Sequence, residues 1–172
     1  MEATLGKEGH NLAPFDVVSC MFALHNAPDL EQTAASFGSL LLPGGQFIAI
    51  TVDERELEKL RKGGVPSWTN GLVTIDWTED AKGDKGSRPS YVFSFGQGVD
   101  KCREYVVPWK ELERAAFIHG GMTCKLRHNV GRWYRAQMEA GNCDRLRMPV
   151  ISDKRELEVL DLYVMCHFVK LP

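Results

Sequence analysis

The 172 residues suffice for one domain with a substantial buried core, and 44% hydrophobic with 26% charged residues is the balance of a soluble globular chain. A net charge of −2 excludes the broad basic face of a protein that grips long duplexes by their phosphates, yet leaves room for one that holds a single nucleotide in a pocket. The first dozen residues carry Glu2, Lys7, Glu8 and His10 without an apolar h-region, and no run approaches membrane-spanning length, so neither a signal peptide nor a membrane segment is expected. Five scattered cysteines (Cys20, Cys102, Cys124, Cys143 and Cys166) form no C-x-x-C pair and no metal-ligand spacing with histidine, which predicts reduced thiols and no metal.

In chain order, Phe15-Asp16-Val17-Val18-Ser19-Cys20 is a short β-branched run that reads as a buried strand. Asp29, after Pro28 and with Gln32 at the capping-box position, predicts the start of a helix along which Ala34, Phe37, Leu40 and Leu41 recur at helical spacing. Pro43-Gly44-Gly45 is expected to stop that helix, and Gln46-Phe47-Ile48-Ala49-Ile50-Thr51-Val52 follows as a second buried strand. Strand, helix, strand in that order is a βαβ unit and predicts a parallel pair.

Asp53 suits the cap of a charged helix over residues 54–61 that ends at Gly63-Gly64. Residues 72–77 and 91–95 alternate as antiparallel strands do, around a polar stretch, 80–89, expected to be an exposed loop. A helix is predicted over 108–119, with proline in its first turn, followed by Gly120-Gly121 and a strand over 122–126. Residues 130–148 are polar and ambiguous, and 158–169 are apolar and β-branched enough to predict a closing strand. Residues 1–14 read as an N-terminal segment and 15–172 as one domain, without repeats or an internal linker.

The stretch Phe15-Asp16-Val17-Val18-Ser19-Cys20-Met21-Phe22-Ala23-Leu24-His25-Asn26 is the most informative piece, because open α/β sheets place ligands at the carboxyl ends of their strands. With Leu41-Leu42-Pro43-Gly44-Gly45-Gln46-Phe47 one helix later, it resembles the fourth and fifth strands of Rossmann-like methyltransferases. Within that fold, Phe22-Ala23-Leu24-His25 resembles the messenger-RNA cap guanine-N7 methyltransferases, whose characteristic stretch is Phe-Asp-x-Val-Ser-x-Gln-Phe-Ala-Leu-His-Tyr. Tyr91-Val92-Phe93-Ser94-Phe95 is similar to that family's Tyr-x-Phe strand, Arg103-Glu104-Tyr105-Val106-Val107 to its Pro-Glu-(Tyr/Phe)-Leu-Val segment, and Leu162-Tyr163-Val164-Met165-Cys166-His167-Phe168 to its closing Leu-Tyr-x-x-Phe-x-Phe strand. The matches come in the family's order and cover most of the chain from Phe15 onward.

The resemblance implies an α/β fold with a mixed sheet, namely the C-terminal part of a class I methyltransferase. It implies methyl transfer from S-adenosylmethionine to the guanine of a capped RNA 5′ end, in the nucleus or, for a viral protein, the cytoplasm. Guanine presents N1–H and its 2-amino group as donors and O6 as an acceptor. A carboxylate accepts from both donors, which points to Glu104, and a histidine donates to O6, which points to His25. Phe22, Phe93 and Tyr163 would sandwich the purine, with core packing as the alternative for each; Tyr105, on the opposite strand face, is expected in the core. Met21 and Phe22 would lie against the donor. N7 carries a lone pair and no proton, so the reaction needs alignment and not a catalytic base.

The chain departs from the family pattern at Met21, where Gln is usual, and at Asn26, where Tyr is usual. No Gly-rich donor-cradling turn precedes Phe15, so the cofactor-binding βαβ portion is expected to come from upstream sequence or a partner chain. On that expectation the chain alone binds the donor poorly. The competing readings are an inactive methyltransferase fragment that binds a cap or stabilises a partner, and a small-molecule methyltransferase of the same fold. Lys59, Arg61 and Lys62 read as the solvated end of a helix, and Arg127, Arg132, Arg135, Arg145 and Arg147 as a solvated basic face, with phosphate or RNA contact as the alternative for both groups.

Overall fold

The structure, a computed structural model, describes residues 14–62, 64–78, 88–96 and 98–172. Strand β1 (Phe15–Met21), helix α1 (Leu30–Leu40) and strand β2 (Leu41–Val52) form the expected βαβ unit, with β1 and β2 parallel. The Asp29 carboxylate caps α1 by accepting from the Glu31 and Gln32 amides.

Pro43-Gly44-Gly45 does not end that helix. Leu41 is already extended, and the Pro-Gly-Gly run sits inside β2 as an irregularity. Phe15 pairs with Leu41 but Val17 with Gln46, so the extra residues of β2 loop outward, and Gly44 takes the left-handed conformation this needs (φ 79°).

Strands β8 (Tyr163–Lys170) and β7 (Met122–Asn129) add antiparallel neighbours, giving a mixed sheet in the order β1-β2-β8-β7. The closing strand is shorter than the sequence predicts. Asp153 caps helix α6 (Lys154–Asp161), so Val159 and Leu160 belong to a helix despite their strand-like composition. The ambiguous stretch 130–148 contains α4 (Val130–Glu139), capped by Asn129, and the short α5 (Cys143–Leu146).

A second sheet is antiparallel throughout, in the order β3 (Ser67–Thr69), β4 (Val73–Trp77), β5 (Ser90–Phe95), β6 (Val99–Tyr105). Here β4 and β5 are the predicted pair, whereas β3 and β6 carry no pattern that predicts a strand. Residues 1–13 of the N-terminal segment 1–14 and most of the predicted loop 80–89 lie outside the described residues.

Two apolar cores hold the layers. One packs α1 and α3 (Trp109–Ile118) on the first sheet through Leu30, Ala34, Phe47, Leu112, Ala116 and Phe168. These helices meet so closely that a methyl group at Gly38 would collide with the Gly120 carbonyl. The other core joins the sheets through Val52, Leu57, Val73, Ile75, Tyr91 and Leu162, where α2 (Glu54–Arg61) begins behind its Asp53 cap.

Candidate functional site

Beyond the carboxyl end of β1, the chain leaves the sheet abruptly. Phe22 adopts φ 55°, a conformation that costs a bulky L-residue roughly 1–2 kcal/mol, and its amide is retained by the Ile50 carbonyl at 2.9 Å. Leu24, 1% exposed, plugs the first core and opens a short 3-10 turn (Leu24–Asn26). That turn carries His25 toward the second sheet.

From the other side, β5 and β6 supply the facing groups. Residues two apart share a strand face, so Tyr91, Phe93 and Phe95 point together, and Glu104 lies directly across from Tyr91 in the β5–β6 register. The Tyr91 hydroxyl donates to Glu104 Oε2 at 2.7 Å. Glu104 Oε1 is 3.5 Å from His25 Nε2, while His25 Nδ1 is 3.4 Å from Thr51 Oγ1. Tyr91, Thr51, His25 and Glu104 are all buried, so these four groups form one continuous polar chain between the two sheets.

The chain borders a cavity of about 390 Å³. His25, Glu104, Phe22, Phe93 and Tyr163, the five residues that the sequence singles out for a base, all line it, and Val159 and Leu160 of α6 close one side. Phe93 belongs to the second core as well as to the cavity wall. Phe22 is half exposed at the rim, with its ring edge-on to Tyr163 at 5.0 Å between centroids. Tyr105 faces away from the cavity, as expected from its place beside Glu104, but packs half-buried beneath the Arg88 guanidinium instead of joining a core. Met21, at the end of β1, is exposed and does not line the cavity.

Burial sets the protonation states. It pushes His25 down to about 4, aided by the Arg88 cation, so the imidazole is neutral near pH 7 and only one of its nitrogens carries a proton. Burial also raises the Glu104 carboxyl, against the opposing hydrogen bond from Tyr91. Tyr163 is pushed up to about 12, first by burial and then by the nearby Glu104. The result is an apolar cavity with two adjacent polar groups at its end: an acceptor pair on Glu104 and an imidazole next to it.

Three members of this arrangement are not among the residues that the sequence singles out for the site. Tyr91 opens the stretch similar to the Tyr-x-Phe strand, and Thr51 lies in the apolar run of β2. Arg88 lies in the polar stretch read as a loop, yet its guanidinium donates to the Ala27 carbonyl and twice to the Val106 carbonyl, clasping the His25 turn to the end of β6. Elsewhere, Arg127 pairs with Asp53 at 2.8 Å and Arg135 with Asp161, while Lys59 pairs with Glu56, so much of the basic content is engaged within the chain. Among the described residues no three metal-ligating side chains gather.

Of the two residues that the sequence sets against the donor, Phe22 lines the cavity, whereas Met21, with only a thioether to offer, stays exposed outside it.

Comparison with known proteins bears on the whole chain. The family model described as the mRNA (guanine-N(7))-methyltransferase domain matches residues 3–171. The chain is 36% identical over 118 residues to "mRNA cap guanine-N(7) methyltransferase 1" of Oryza sativa subsp. japonica, covering 63% of this chain and 32% of that protein. It is 34% identical over 125 residues to the protein of the same description from Arabidopsis thaliana, covering 67% of this chain and 34% of that one. The chain thus spans about a third of the length of these relatives. Among solved structures, an S-adenosylmethionine dependent methyltransferase from Mesorhizobium loti aligns with a TM-score of 0.51 at 15% identity, over 91% of this chain and 62% of that chain, a likeness of fold. The α/β architecture with its mixed sheet is that of the class I methyltransferases.

Proposed function

We propose that this chain, which belongs to the mRNA (guanine-N(7))-methyltransferase family, holds the cap guanine for methylation at N7, in the cavity between its two sheets. The observation that carries this reading is the pairing of Glu104 and His25, 3.5 Å apart, at the end of a cavity walled by Phe22, Phe93 and Tyr163. The Glu104 carboxylate accepts from guanine N1–H and the 2-amino group, and His25 Nε2–H donates to O6. Adenine offers no donor at N1, so it would leave buried carboxylate oxygens unpaired, and that penalty gives selectivity. The aromatic rings supply stacking, each base–ring contact worth roughly 1–3 kcal/mol.

S-adenosylmethionine, as the family's methyl donor, brings an electrophilic methyl group. This chain's part is to orient N7, which has a free lone pair and needs no deprotonation. The donor-cradling half comes, on this reading, from sequence outside these residues or from a partner chain. The β1 edge supports that division: among the described residues it has a paired neighbour on one side only, and Phe15, Val17 and Met21 expose large apolar side chains along it.

The test is calorimetric titration of this chain with guanosine and adenosine triphosphates and with S-adenosylmethionine. Guanine binding well ahead of adenine, with feeble donor binding, is the expected result. Equal affinity for the two bases would overturn the guanine reading, and tight donor binding would overturn the division between halves. Methylated cap formed by the longest natural form of the protein separates an enzyme from a module that only binds caps.

A further inference from the structure

We propose that Tyr91 is a positioning residue for base selection: its hydroxyl anchors Glu104 so that the carboxylate presents two acceptors to the guanine edge. The proposal rests on the guanine reading of the cavity and asks what makes Glu104 able to take both donors at once.

The geometry is specific. Tyr91 and Glu104 are directly cross-strand in the β5–β6 register, so their side chains must leave the sheet on one face. Tyr91 is 0% exposed, its ring set in the core and 6.3 Å edge-on from Trp77, which leaves its hydroxyl little freedom. That hydroxyl reaches Glu104 Oε2 at 2.7 Å, a length typical of a hydrogen bond to a charged acceptor. The opposite oxygen faces His25 Nε2. Tyr91 therefore holds the carboxylate by its far oxygen, in one orientation.

The same bond controls the charge. Glu104 is buried, and burial favours its neutral form, while the Tyr91 hydrogen bond works against that. Without the hydroxyl the carboxyl protonates more readily. A protonated carboxyl keeps one good acceptor oxygen and gains a donor, so it satisfies one of guanine's two donors and opposes the other. Hypoxanthine has N1–H and O6 but no 2-amino group, so it asks for only one acceptor. Loss of Tyr91's hydroxyl should therefore cost guanine far more than hypoxanthine.

The other groups facing Glu104 do not titrate in the window concerned. His25, from the 3-10 turn, is neutral above about 4, and Tyr163, from β8, stays protonated to about 12. Arg88, ahead of β5, is lowered by burial from 12.5 and remains a cation near neutrality.

The experiment compares guanosine and inosine triphosphates as ligands of this chain and of Tyr91→Phe, by calorimetry between pH 5.5 and 8, where both bases keep N1–H, with thermal midpoints alongside. In the parent chain a second charge-assisted hydrogen bond should favour guanosine by about tenfold or more. In Tyr91→Phe that preference should fall, most at the acid end of the range, and recover as the pH rises and Glu104 ionises. A loosened fold would weaken both ligands together and would not recover with pH. An unchanged preference in a folded Tyr91→Phe overturns the proposal but leaves the guanine reading standing. A parent chain with no preference for guanosine over adenosine fails that reading itself.

If Tyr91→Phe does not fold, the pair Glu104→Ala and Tyr91→Phe/Glu104→Ala answers the question, because no side-chain acceptor is left at 104 for Tyr91 to orient. Tyr91 acting through Glu104 predicts equal affinities in the two. A further guanosine-specific loss on adding Tyr91→Phe overturns the proposal.

Discussion

Replacing Glu104 with glutamine should make the fold more stable and the pocket worse at its task. In the folded chain Glu104 is 5% exposed and its carboxyl is raised above 4.5 by burial, which means that the ionised form is better tolerated unfolded than folded. Glutamine keeps the shape, accepts from the Tyr91 hydroxyl through its carbonyl, and removes the buried charge. Its amide nitrogen then faces His25 Nε2, which the imidazole accommodates by moving its proton to Nδ1, toward Thr51 Oγ1. The same amide meets guanine's donors with a donor. The loss is at least one hydrogen bond to a charged group, about 1.5–3 kcal/mol, or roughly 10- to 150-fold in affinity. Urea denaturation at pH 7 and guanosine triphosphate calorimetry read the two effects. Lower stability together with unchanged affinity would refute the argument, because it would mean that Glu104 is a structural carboxylate with no ligand to read.

The acid side of the stability profile follows from the same pair. The unfolded chain protonates its histidine as pH falls through 6.5, but folded His25 resists until about 4, so this residue erodes stability between those values by about 1.4 kcal/mol per pH unit, about 3 kcal/mol in all. Glu104 acts oppositely, since its raised carboxyl binds a proton first in the folded state and returns stability as pH falls. Glu104→Gln should therefore lose stability more steeply than the parent as the pH falls below 6.5 in denaturant titrations; parallel profiles would count against the raised Glu104 carboxyl. Far from the cavity, Gly38→Ala should destabilise by about 1–3 kcal/mol despite alanine's better helix propensity, because the added methyl runs into the Gly120 carbonyl where α1 crosses α3. A Gly38→Ala variant as stable as the parent in thermal melts would mean that the two helices separate at little cost.

What could be read from the sequence divides along the range of the forces involved. The β1–α1–β2 unit is visible because its signals are local: β-branched runs, an Asp29 cap and an apolar face within a few residues of one another. Strand β6 is not, since Val-Asp-Lys-Cys-Arg-Glu-Tyr is mostly polar and is a strand through its pairing with β5. The helix α6 is hidden by the apolar run that follows it, for Val159 and Leu160 read as the start of the closing strand until the cap at Asp153 is considered. The candidate site shows the same division more sharply. By composition alone Glu104 is a surface carboxylate, and only its resemblance to a family segment marks it. Its burial comes from Tyr91 across the ladder and from His25, delivered by the other sheet and held there through Arg88, whose partners Ala27 and Val106 lie 61 and 18 residues away. Selectivity against adenine requires that carboxylate to be out of water, since an exposed one would exchange a lost partner for solvent at little cost. The covering groups must then come from distant parts of the chain, because no local stretch encloses a charge. The property that makes Glu104 useful as a base reader is thus the one that no short window of sequence can display.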